Sequence, residues 1–333
     1  MRLQFDPGET IGENVARMLR GQLAKAERAT TKRGLDAAGV HSARKAFKRA
    51  RGVLRLVRTG LGKADYRDLN MQLRDLGRDL SEARDSHVLM QSLTSLAHHA
   101  DIGRSVAVLD LKALIAERAD GDGSLAKPNP KPAARAIDHL KAHVDALPLE
   151  DISFADVAAG YARTYAIGRS QYAEITSVSN DDAHHDLRKA VQYHWRQSAM
   201  LEPAWPDAMR LRLETARLVS RLLGADHDLS VLAEFIDGPG KAACRKSDRR
   251  RLIAAARQRQ TELRQLFKSP ARRLYALPPA ALGDAIRAYW TAAGEERLVM
   301  HLLMHTDDPE GLGGPTDAAP PRNPPQGHSD PSA

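Results

Sequence analysis

The stretch from Val40 to Arg58, VHSARKAFKRARGVLRLVR, limits what this chain can fold into more than any other. At about 100° per residue, His41, Arg44, Lys45, Lys48, Arg49, Arg51, Arg55 and Arg58 fall on one half of a helical cylinder. Ala43, Ala46, Phe47, Ala50, Val53, Leu54 and Val57 fall on the other half, and Leu56 alone is out of place. No carboxylate interrupts the run. Like charges at i,i+4 destabilise a helix by a few tenths of a kcal/mol each, so this helix carries a repulsion that an anion relieves. Its fold must bury a narrow, alanine-rich seam and leave a ladder of cations, headed by a histidine, facing something negative.

The rest of the chain is patterned to supply such a fold. Aromatic residues make up only 5% of the 333 residues, and Ala, Leu and Arg abound, which favours helix over sheet. Helical periodicity runs over about 11–35, 64–80, from the Asp85-Ser86 start signal onward, and over 105–118. It resumes near 133 and covers about 154–173, 184–201, 207–223, 229–236, 246–267 and 280–290. Sustained apolar/polar alternation of the strand type is absent. The expectation is an all-α protein with a first helical bundle over 1–119, a Gly/Pro-rich linker over 120–132 and a second bundle over 133–305. An acidic Pro/Gly tail over 306–333 reads as disordered.

Charge is unevenly spread. The overall balance is +8, but the tail carries −4, so the body carries +12 and suits a polyanionic partner. Cys244 is the only cysteine, which excludes a disulfide framework and a thiolate metal site. No apolar run reaches the roughly 20 residues of a membrane span, and the start lacks the apolar core of a signal peptide. A cytoplasmic location is expected, with no cofactor and no metal.

Sliding the chain along itself reveals an internal repeat. An offset of 143 pairs Arg67 with Arg210, Arg74 with Arg217, Arg78 with Arg221 and Asp85 with Asp228. At 144, His41 pairs with His185, Arg44 with Arg188 and Lys45 with Lys189. In each copy the three arginines, spaced by seven and four, share about 40° of one helix face. Packing alone would preserve apolar positions, yet the charged ones match at least as well. Two related helical bundles, each lending basic faces to one anion site, are the expectation.

At these residues the sequence resembles the CHAD family, the conserved histidine α-helical domain. The signatures are VHSARKAFKRAR and LSEARDSHVL in the first half, and HDLRKAVQYHW and LGADHDLSVL in the second. The resemblance implies two pseudo-symmetric helical bundles around a basic central cavity. It also implies non-catalytic binding of inorganic polyphosphate, with association to polyphosphate granules in some members. Carried onto this chain, it assigns His41, Arg44, Lys45, Lys48 and Arg49, then His185, Arg188 and Lys189, to the ligand. Arg51, Arg55, Arg67, Arg74, Arg78, Arg84, Arg196, Arg210, Arg217 and Arg221 complete the basic faces. The second ladder departs from the fully basic pattern at Gln192, Tyr193 and Trp195, so the cavity is expected to be stronger on its first-half side.

Asp85 and Asp228 read as N-caps, or as carboxylates that orient an arginine or histidine of the ladder. Two other readings compete. A metal phosphohydrolase would use His139, His185-Asp186 and Asp228, but Asp186 is matched in the repeat by Ser42 and His139 has no clear partner. Nucleic-acid binding needs aromatics interleaved with the basic groove, and only Tyr193 and Trp195 stand near one.

Overall fold

Thr10 and Glu13 close a capping box at the start of the first helix. The Thr10 amide donates to Glu13 Oε2 at 2.8 Å and the Glu13 amide to Thr10 Oγ1 at 3.2 Å. A related device starts the helix at Phe154, where the Ser153 amide and hydroxyl both donate to Asp156 Oδ2, at 3.1 and 2.8 Å. Ser153 and Asp156 follow Thr10 and Glu13 by 143 residues, the offset of the sequence repeat.

The computed structural model describes residues 3–31, 37–80, 85–122, 130–177 and 181–305. Its helices are α1 (Ile11–Thr31), α2 (Ala37–Leu56), α3 (Lys63–Asp79), α4 (Asp85–His99), α5 (Val106–Asp122) and α6 (Pro130–Asp145). After these come α7 (Phe154–Ser177), α8 (Asp181–Met200), α9 (Pro206–Asp237), α10 (Lys246–Leu266), α11 (Lys268–Leu274) and α12 (Pro279–His305). No strand occurs among the described residues, and the all-α expectation holds. Element boundaries keep the repeat register. Shifted by 144, α2 lands on the bounds of α8; shifted by 143, α3 lands on the start of α9 and α5 falls inside α10.

Three boundaries differ from the sequence reading. The expected break between 223 and 229 does not exist: α9 is continuous through Gly224, and Asp228 lies inside a helix rather than capping one. A glycine inside a helix costs about 1 kcal/mol relative to alanine, a penalty that the burial of Leu223, Leu229 and Leu232 on either side of it outweighs. α12 continues fifteen residues past Trp290, to His305. Helices also enter the expected linker from both ends, so that α5 stops at Asp122 and α6 starts at Pro130. Residues 123–129 and the tail 306–333 lie outside the described residues.

Side chains gather into two cores. The larger joins α1, α2, α3, α6, α7, α8, the first half of α9, α11 and α12. In the smaller, α4 and α5 meet the second half of α9 and α10. The cores thus mix the two sequence halves, and unbroken α9 is the beam that ties one to the other, with Leu222 packed against both.

In α2 the apolar seam is fully used. Ala43, Ala46, Phe47, Ala50, Val53, Leu54 and Val57 are all at most 2% exposed. Leu56, out of phase in the sequence, is buried as well, because α7 crosses α2 there. The crossing is so close that a Cβ on Gly160 would lie 1.9 Å from the Leu56 carbonyl oxygen, so only glycine fits. Gln197 Nε2 of α8 donates to the Gly52 carbonyl at 3.3 Å, tying α8 to α2 inside the core. Next to it His194 is fully buried, stacked on Tyr161 with centroids 4.8 Å apart, and neither ring nitrogen has a hydrogen-bond partner among the described residues. Burial, reinforced by the Arg212 charge, holds this imidazole well below its ordinary pKa.

Two outcomes follow. Gly160→Ala should destabilise the protein by about 3 kcal/mol through overpacking at the α2–α7 crossing; an unchanged denaturation midpoint would contradict that crossing. As pH falls below about 6.5 the unfolded chain takes up a proton at position 194 that the fold refuses, so stability should drop by up to about 1.4 kcal/mol per pH unit from this group. His194→Phe should remove that component, and parallel stability–pH curves for the two proteins would refute it.

Candidate functional site

α2 presents Arg44, Lys48, Arg51 and Arg55 along one stripe, because i, i+4, i+7 and i+11 return to the same side of a helix. They line a cavity of about 560 Å³ bounded by α2, α3, α7 and α8. Arg74 and Arg78 enter it from α3, and His185, Arg188, Lys189 and Arg196 from α8. Phe47, Leu73 and Ile167 give it apolar wall, and Gln171, Gln192 and Tyr193 give it neutral polar wall. Among the described residues nine cations therefore meet one carboxylate, Asp186, whose Oδ1 is held by Lys189 Nζ at 2.8 Å. The first half contributes six of the nine cations and the second half three.

Packing positions several of these groups. Arg51 Nε donates to Asn70 Oδ1 of α3 at 2.9 Å, which pins the guanidinium between α2 and α3. The Arg55 guanidinium lies over the Tyr193 ring at 4.0 Å, and its Nε is buried without a hydrogen-bond partner among the described residues. Arg196 lies over its neighbour Trp195 at 4.8 Å and donates to the Gln192 carbonyl at 2.7 Å. Burial pushes the Arg196 guanidinium down to about 10 and lowers that of Arg51, though both stay charged at neutral pH.

Histidine chemistry at the rim was only half legible. His185 faces His227 of α9 with ring centroids 4.5 Å apart. Burial, with Lys189 and Arg188 beside it, lowers the His185 pKa. Burial, with Arg188, His185 and Lys189 beside it, pushes His227 down to about 4. Both imidazoles are neutral at pH 7. His227 is the counterpart, at the 143-residue offset, of Arg84, which lies outside the described residues.

The other predicted residues lie elsewhere. His41, Lys45 and Arg49 are on α2 but not in the cavity wall; at 100° per residue Lys45 and Arg49 turn away from the Arg44 stripe. Arg67 is exposed on α3. The α9 triplet does not reach the cavity. Arg210 is paired with Asp207 at 3.4 Å and Glu202 at 3.7 Å, Arg217 with Glu214 at 2.8 Å, and Arg221 is exposed. Arg217 also lies over the Trp195 ring at 5.5 Å. Trp195 holds the repeat position of Arg51, so where the first half puts a cation into the cavity the second puts an indole that keeps Arg217 and Arg196 on its faces.

Asp228 is not part of the cavity wall. It lines a different depression on α9, beside Arg259 and Gln91. Asp85 opens α4, and its side chain lies outside the described residues. The structural carboxylate of the LGADHD motif is instead Asp226. It is 2% exposed, accepts from Arg264 Nε at 2.8 Å and so fastens α9 to α10. Nothing in the sequence pattern distinguished it from Asp228 two residues later. His139 is exposed on α6, remote in the fold from His185, and no group of three or more His, Cys, Asp or Glu among the described residues is arranged to hold a metal ion. No described helix is long and apolar enough to cross a membrane.

Comparison with known proteins places this geometry in context. No curated protein matches the chain. A solved structure that matches is the crystal structure of the CHAD domain from the plant Ricinus communis, with 21% sequence identity and a TM-score of 0.55 over 88% of this chain and 95% of that one. At that identity the likeness speaks for the fold. The CHAD domain family profile matches residues 16–237, which span α2, α3, α7 and α8 and hence every wall of the cavity. The chain belongs to the CHAD family.

Proposed function

We propose that this protein binds inorganic polyphosphate, without turning it over, in the cavity between α2, α3, α7 and α8. The observation that carries the reading is nine cations from three helices around one recess whose single carboxylate is already paired. A phosphate polymer bears a negative charge on each internal unit and is flexible, so it can follow a stripe of cations that no compact anion would fill. Arginine forks hold phosphate oxygens in bidentate fashion, and lysines act as point charges. The nucleic-acid reading is less well supported, since both aromatics near the basic wall, Tyr193 and Trp195, already have guanidinium groups on their rings. As a polyphosphate binder the protein would act in the cytoplasm, on or near polyphosphate granules.

Affinity for long-chain polyphosphate, measured by calorimetric titration, should fall linearly in log K against log salt. Arg44→Glu and Lys48→Glu should each weaken binding by about 10- to 100-fold, the worth of a charge-assisted hydrogen bond at 1.5–3 kcal/mol. Undiminished affinity in both folded variants would sink the proposal, as would displacement of polyphosphate by RNA at equal charge concentration.

Proton linkage gives a second check. A bound phosphate stabilises imidazolium, so His185 and His227 gain proton affinity on binding, against Arg188 and Lys189 and with help from Asp181, Asp182 and Asp186. Binding then takes up protons. Affinity should be flat where both states are neutral, rise as pH falls through the bound-state pKa values, and level off only below the free-state ones, near 4 for His227. A combined His185→Gln and His227→Gln variant should lose this rise between pH 7 and pH 5; an identical pH profile would remove both histidines from the site.

A further inference from the structure

Near its C-terminal end α12 carries an uncovered apolar run. Leu298, Val299, Met300, Leu302 and Leu303 are each 50–60% exposed, five of the fourteen exposed large hydrophobics among the described residues, within six positions. The remaining nine are spread singly or in pairs over the rest of the surface, as on any protein. The base of α12 is anchored. Trp290 stacks on Phe154 with centroids 4.5 Å apart, and Arg297 pairs with Asp6, so the apolar end stands as a fixed rod.

Two covers are argued against by the chain's own chemistry. The tail that follows, 306–333, contains a single large apolar residue, Leu312, among prolines, glycines and carboxylates, and has nothing to pack on five leucine-sized side chains. Helices that lie on anionic membranes carry lysine and arginine beside the apolar face. Here the one cation adjoining the patch, Arg297, is paired with Asp6, while Glu295 and Glu296 stand just before it and Asp307, Asp308 and Glu310 follow.

The pattern is instead complementary to itself. Positions 298, 299, 302 and 303 are symmetric about a point between 300 and 301. A two-fold axis there, with the helices antiparallel, sets Leu298 of one copy on Leu303 of the other and Val299 on Leu302. The same axis sets Glu296 opposite position 305, a histidine, so no like charges face each other there. Isologous contacts of this kind are the commonest way for a chain to close on itself.

We propose that the exposed end of α12 is the interface of a symmetric homodimer, formed by antiparallel pairing of residues 298–303 from two copies. Sedimentation equilibrium of the full chain should return twice the 36.5 kDa chain mass. Leu298→Asp with Leu303→Asp, two residues that meet across the axis, should give a monomer with an unchanged circular-dichroism melt. Leu211→Asp, a change at a still more exposed leucine on α9, should stay dimeric. A wild-type monomer at all concentrations, a dimer that survives the double substitution, or a wild-type monomer that floats with phosphatidylserine vesicles would each overturn the proposal.

Discussion

Crowding like charges onto one wall is possible only when something else holds the wall in place. In α2 that is the seam from Ala43 to Val57, every member of it buried, whose packing outweighs the i,i+4 repulsions on the opposite side. The seam is built from small residues, which lets neighbours approach closely. α7 touches the α2 backbone at Gly160, and α8 reaches into it through Gln197 and the Gly52 carbonyl. These contacts fix the rotation of α2, and the rotation decides which cations look inward. The cavity is a consequence of how the apolar sides lock, and its charge follows from what the lock leaves on the far side.

The electrostatics then moderate themselves. Arg51 and Arg196 are buried enough to lose some proton affinity, yet guanidinium groups begin so high that they remain cations. Imidazole has no such reserve, so His185 and His227, among the same neighbours, stay neutral at pH 7. The cavity thereby avoids two further positive charges while keeping two groups whose proton affinity a nearby anion would raise.

Periodicity made the helices legible, since a 3.6-residue apolar rhythm survives whatever tertiary contacts follow. It also found the ladder on α2, and the repeat offset found His185 of α8. It could not find the orientation of each ladder, because rotation about a helix axis is set by partners distant in sequence. Lys45 and Arg49 therefore looked equivalent to Arg44 and Lys48 until α7 and α8 were in place. A break is expected between 223 and 229, because the burial on both sides of Gly224 that keeps α9 whole is invisible in the sequence. Asp226 and Asp228 differ only in which side of α9 they occupy, and that depends on α10 and its Arg264.

The unequal contribution of the two halves has a local cause. In the first half, Arg51 of α2 is held by Asn70 of α3 and stands in the cavity beside Arg74. The repeat partners of Arg51 and Arg74 are Trp195 and Arg217. An indole at 195 offers a π face where the first half offers a cation, and Arg217 settles there and on Glu214 instead of entering the recess. With an aromatic at one position of the pair, the arginine at the other has partners outside the cavity. The second half contributes only the cations of α8 itself, Arg188, Lys189 and Arg196, and the cavity is supplied mainly by α2 and α3 and closed from the other side by α8.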